Sequence, residues 1–127
     1  MFKVKRRKTD QLFTRFMRLL FDYTCQRCGR KYEKAEKVRN LDVSHYWGRG
    51  RENTRFDEEN CALLCHLPCH NLWGHGDGRN EYTEYMVKRL GSEGFDRLTL
   101  RANTYKKRDD KMDELILTEK IKLLEKK

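Results

Sequence analysis

Proline is almost missing from this chain, one residue in 127, which excludes a Pro-rich linker. Long apolar runs are missing as well: the best candidate, "LFTRFMRLLF", is broken by Arg15 and Arg18 and is too short to span a bilayer. The amino terminus, "MFKVKRRKTDQ", starts basic but lacks the small-residue cleavage site of a secretory signal. Together these absences predict a cytoplasmic protein with no membrane partner. Apolar residues are also scarce, 37% against 39% charged, so one modest core is expected, and a domain this small gains from a staple. No internal repeat is present.

What the chain does have is positive charge and cysteine. Lys and Arg number 29 against 20 Asp and Glu, a net +9. Such an excess implies a polyanionic partner, and nucleic acid is the commonest, because each cation set against a phosphate releases condensed counterions. Five cysteines without an export signal point to thiolate metal ligation rather than disulfides.

Apolar spacing predicts an amphipathic helix over 9–22, with Thr9 or Asp10 as its cap. Alternation suggests a short strand over 41–46, with "TRFD" at 54–57 as its antiparallel partner across the basic loop "WGRGREN". The run after Asn60 should turn into a short helix ended by Gly74 or Gly76. Further helices are expected over 79–90, stopping at Gly91, then over "SEGFDRLTL", and over 109–126. The last carries an apolar stripe that either folds back on the core or pairs with a second copy in a homodimer.

Cys25-x-x-Cys28-Gly and Cys65-x-x-x-Cys69 are two close pairs separated by enough chain for two strands. Each pair can present two sulfurs to one tetrahedral Zn2+, closing a structural site with no open position. Gly29 suits the left-handed residue of such a knuckle. Cys61 is the spare, read as a core residue, with His66 and His70 as alternative ligands.

His45, Asn60 and His70 remain, and the expected strand, loop and helix bring them to one side of a small unit. An imidazole is suited to activating water, and a second can hold a cation that neutralises a phosphate. Arg49, Arg51 and Arg55, in and beside the loop after the strand, and Lys5, Arg6 and Arg7 in the arm "KVKRRK", are candidate phosphate contacts. Trp47 and Trp73 either stack on bases or pack the metal core. Taken singly, His45 could be a hydrogen-bonded structural residue and Asn60 a turn residue; the constellation argues otherwise.

The residues "CQRC", "VSHYWGRG", "TRFDEENCALLC" and the "CH" at 69–70 resemble the HNH endonuclease family in its zinc-stapled form. "DQLFTRFMRL", "SHYWGRG", "RFDEEN" and "RNEYTEYMVKRLG" are most similar to the phage NinG/Rap type of recombination nuclease. The resemblance implies a small α+β fold: a treble-clef-like ββα-metal core over 25–78, with a basic arm and helix over 1–24 and a helical extension over 79–127. It implies His45 as general base, Asn60 as the brace of the loop and base, and His70 as ligand of a divalent catalytic cation, Mg2+ or Mn2+. Many HNH enzymes carry a second cation ligand just before the base, where this chain has Ser44. Asp42, on the same strand face, is the substitute, with His75 in reserve and Asn71 behind it.

The implied function is a metal-dependent DNA endonuclease leaving 5′-phosphate and 3′-hydroxyl ends, acting on branched or nicked DNA in recombination. Its setting would be a host cytoplasm, with phage recombination or packaging proteins as further partners. The alternatives are a noncatalytic zinc-stapled DNA-binding or architectural protein, and a nicking subunit of a phage packaging complex.

Overall fold

Phe13, Phe16 and Met17 line one face of the first helix and carry it into the core. The computed structural model describes residues 5–33, 40–75 and 77–126, with His75 described by its backbone alone. The elements are α1 (Lys8–Leu20), β1 (Asp42–His45), β2 (Cys61–Leu64), α2 (Asn71–His75), α3 (Arg79–Ala102) and α4 (Asp110–Glu125). This is a small α+β fold with four helices and a two-stranded sheet among the described residues. The Asp10 carboxylate accepts the Arg7 amide at 2.6 Å, satisfying one of the donors left open at the start of α1.

The strands are antiparallel, with Asp42 opposite Leu64 and His45 opposite Cys61. The expected partner at 54–57 is not a strand: the 47–60 segment turns through two short 3-10 stretches, Glu52–Thr54 and Glu58–Asn60, and delivers Cys61–Leu64 instead. The physical reason is burial. All four residues of β2 are buried, so the strand has no alternation to betray it. Thr54 and Arg55, consecutive in sequence, are both buried, which a half-buried strand would not allow.

Two strands alone are marginal in water, so the sheet depends on its surroundings. The first cysteine turn reaches it through Gln26 N–H donating to Leu63 O at 2.8 Å. From α3, Tyr82 donates to Ser44 O at 3.1 Å, and Arg89 donates to Cys61 O at 2.7 Å and Glu58 O at 3.0 Å.

α3 is interrupted at Gly91, whose φ of 77° is open to glycine and strained for other residues. The expected stop and the short helix beyond it are both present. α4 begins at Asp109, whose side chain accepts the Met112 amide at 3.2 Å. It folds back on α1, with Leu117 and Ile121 buried in the shared core. Its outer face leaves Met112, Leu115, Ile116 and Leu123 exposed. No described helix is long and apolar enough to cross a membrane.

Candidate active site

The two cysteine pairs converge. The sulfurs of Cys25, Cys28, Cys65 and Cys69 all lie within 4.8 Å of one another. The first turn is built by Cys25 N–H donating to Arg30 O and Gly29 N–H donating to Cys25 O, both at 2.9 Å, with Gly29 at φ 78°. A bridge between Thr24 and Lys31 closes its base. Burial would raise the Cys25 thiol, but the amides of Cys28, Cys65 and Arg27 outweigh it and bring the thiol down to about 7. The Arg27 guanidinium donates to Cys69 Sγ at 3.6 Å and to Glu81 Oε1 at 2.9 Å, placing a cation beside a sulfur that burial, even against that cation, pushes up to about 12. Four convergent thiols with amide and guanidinium donors aimed at them fit a tetrahedral metal such as zinc. Cys61 is apart from this set, fully buried, with its thiol held well above the usual range by burial.

The extra residue between Cys65 and Cys69 is accommodated in a wide turn, His66–His70, in which Leu67 is extended. This turn carries a second cluster on its other side. Asp42 Oδ2 accepts from His66 Nδ1 at 2.6 Å and from His70 Nδ1 at 2.9 Å. These three side chains form a second group able to hold a metal ion. To ligate through Nδ1, each ring must carry its proton on Nε2 instead. Gly74 makes room for this: a Cβ there would lie 3.3 Å from His70 Cδ2.

His45 stands at the other end of β1. Its Nε2 lies 2.8 Å from Arg55 O. A carbonyl can only accept, so Nε2 carries the proton and Nδ1 of the neutral ring keeps a lone pair. Burial lowers the ring's pKa to about 4; the Arg55 carbonyl and Asp10 oppose that shift, and the Arg49 and Arg55 charges add to it. The ring is therefore an unprotonated base at neutral pH.

Asn60 fixes the peptide segment that supplies this carbonyl. Its Nδ2 donates to Trp47 O at 2.9 Å and Thr54 O at 3.1 Å, and its Oδ1 accepts the Trp47 amide at 2.9 Å. Fully buried, it ties both ends of the 47–54 loop. Arg55 is clamped from the other side. Its Nε donates to Asp10 Oδ1 at 3.0 Å and its Nη2 to Asp10 Oδ2 at 2.5 Å, with a third bond from Nη2 to Lys5 O at 2.8 Å.

His45 and His70 open onto one surface. A cleft of ≈ 250 Å³ is lined by Arg6, Arg18, Asp42, His45, Arg49 and His70 among others. A neighbouring one of ≈ 420 Å³ shares His45, Arg49 and His70 and reaches Gly74.

A family model described as Bacteriophage Lambda NinG protein matches residues 3–127. The chain belongs to that family. No curated protein and no solved structure matches it.

Several residues expected to bind DNA in this NinG family member have other work. Arg55 is 3% exposed and paired with Asp10, so it is a structural clamp and not a phosphate contact. Arg7 is paired with Glu52 at 2.9 Å and lies over the Phe56 ring. Residues 5–7 are thus held down by Arg55 and Glu52; Lys5 and Arg6 stay exposed, and Lys3 lies outside the described residues. Arg51 donates to Asn103 Oδ1 at 2.7 Å. Trp73 is buried and stacked on Tyr82 at 4.5 Å, and Trp47 lies under Arg51, so both indoles serve packing. Ser44 is buried, at 1% exposure, and borders the second cleft. The reserve ligand His75 has a side chain outside the described residues, and Asn71 is exposed.

His66 is the residue that sequence reasoning missed in this cluster. The signal is its spacing of four from His70, which matches that of Cys65 and Cys69.

Proposed function

We propose that the chain is a metal-dependent DNA endonuclease of the HNH type, acting in phage recombination. The carrying observation is that His45, its Nε2 anchored to a backbone carbonyl, shares a cleft with His70 of the Asp42–His66–His70 cluster. The order β1, β2, α2, with His45 ending the first strand, Asn60 preceding the second and His70 preceding the helix, supports a ββα-metal unit. Membership in the family of a phage lambda protein supports the recombination setting.

In this reading Nδ1 of His45 takes a proton from a water that attacks phosphorus. The bond from phosphorus to the 3′ oxygen breaks, and that oxygen takes a proton from solvent water, leaving a 5′-phosphate and a 3′-hydroxyl. Arg49 and Arg6, at the cleft, orient the phosphate, and Asn60 and Arg55 keep the base in position. A divalent cation held by Asp42, His66 and His70 would neutralise charge on the phosphate and the departing oxygen. Two imidazoles with one carboxylate favour Mn2+ over Mg2+, since nitrogen donors suit transition metals.

The test is nicking of supercoiled plasmid with Mn2+ or Mg2+. Wild-type protein should convert it to open circle, and His45→Ala should lose on the order of a hundredfold or more while retaining its zinc. Equal activity in the variant removes His45 as the base. The buried Ser44 favours a second reading, a noncatalytic DNA-binding protein, because the position just before His45 carries a neutral hydroxyl where a carboxylate or imidazole would ligate a cation. Binding that persists without added divalent cation, with no strand breaks under any divalent cation, would select it.

A further inference from the structure

The loop between α3 and α4, residues 103–109, is basic and has an aromatic ring at its tip. Tyr105 is 81% exposed, and Lys106 and Lys107 beside it are exposed as well. Arg108, by contrast, is engaged: it donates to Asp113 Oδ2 at 3.0 Å. A single exposed aromatic is ordinary on a protein surface. This one is distinguished by its neighbours and by where the loop is fastened.

The fastening is to the segment that lines the cleft. Arg51 donates to Asn103 Oδ1 at 2.7 Å and to Ala102 O at 3.3 Å, and Asn53 donates to Arg101 O at 3.0 Å. Arg49, two residues before Arg51, lines the cleft with His45 and His70. Tyr105 is therefore two residues from an anchor on the loop that carries a cleft arginine. A π surface beside two cations suits a polyanion that has flat faces of its own, which describes a nucleic acid whose bases are uncovered. In an intact duplex those faces are stacked on one another and closed to a side chain.

We propose that Tyr105, with Lys106 and Lys107, is a stacking contact for a single-stranded DNA segment running past the cleft. The proposal extends the reading of the cleft as a DNA site, and its test does not use cleavage. A fluorescein-labelled single-stranded 16-mer and a blunt duplex of the same sequence would be titrated with full-length zinc-loaded protein in buffer without added Mg2+ or Mn2+, reading anisotropy. Stacking contacts removed by alanine correspond to roughly 5- to 150-fold in affinity, so Tyr105→Ala should weaken single-strand binding within that range. Tyr105→Phe should bind as wild type, and duplex binding should change by less than about twofold in both variants, since no base face is offered. Lys106→Gln with Lys107→Gln should lower the salt slope on the single strand by about 1.4, at about 0.7 per phosphate contact.

Single-strand affinity unchanged in Tyr105→Ala overturns the proposal. So does an equal loss in Tyr105→Phe or an equal loss on duplex. If plasmid nicking fails while the stacking result stands, the nuclease reading falls and this contact remains.

Discussion

Burying a guanidinium and a carboxylate together is expensive, and Arg55 and Asp10 offset the penalty with a two-pronged bond and further contacts to Lys5 O and Glu52. Removing one partner strands the other charge. Asp10→Ala should therefore destabilise the fold by about 3–5 kcal/mol, whereas Asp10→Leu with Arg55→Met should recover most of that loss; urea unfolding measures both. The sign at His45 follows from its lowered pKa. The unfolded ring protonates near 6.5 and the folded ring near 4, so the unfolded state binds more protons between those values. Stability should be full above pH 6.5 and fall by about 3 kcal/mol as pH drops to 4. The charges facing the ring are those of Asp10, Arg49 and Arg55. Unfolding free energies across this pH range should lose most of that slope in His45→Gln. The grouping of His45 with Asn60 was legible in the sequence, because a His, an Asn and a second His at that spacing carry meaning together. The burial of Arg55 was not: its partner lies 45 residues away, and nothing local distinguishes a clamped arginine from a solvated one.

Among the elements, those with an apolar stripe or a glycine stop could be read directly. α1 and α4 announce themselves by periodicity, and Gly91 marks its own break. β2 could not, because a strand buried on both faces shows only an apolar run, and "CALLC" also fits a cysteine turn. The same limit hid the role of His66, which depends on a wide turn that brings it back to Asp42. α2 provides a test at this scale. Gly74→Ala should favour the helix by several tenths of a kcal/mol, yet its Cβ must displace the His70 ring. The expected outcome is a thermal midpoint equal to or above wild type together with several-fold weaker Mn2+ binding by titration calorimetry. Unchanged Mn2+ affinity would remove His70 from the ligand set.

At the scale of the molecule, a two-stranded sheet and a modest core make the four-sulfur cluster a principal fastener. Elemental analysis should find about one tightly held zinc per chain. Cys69→Ser should lose it and unfold at lower temperature, by at least several degrees for a domain of this size, while Cys61→Ala should keep it. Retention of zinc by Cys69→Ser and loss of it by Cys61→Ala would reverse the assignment of the spare cysteine.

Cys65 and His66 are adjacent, and so are Cys69 and His70, so the sulfur cluster and the imidazole cluster are laced through the same five-residue turn and its neighbour. Occupancy of one should therefore be thermodynamically linked to occupancy of the other, with equal coupling free energy in both directions. A thiol-bound ion would organise the turn on which Asp42, His66 and His70 meet, so a second ion should bind more tightly to the zinc-loaded chain than to the zinc-free one.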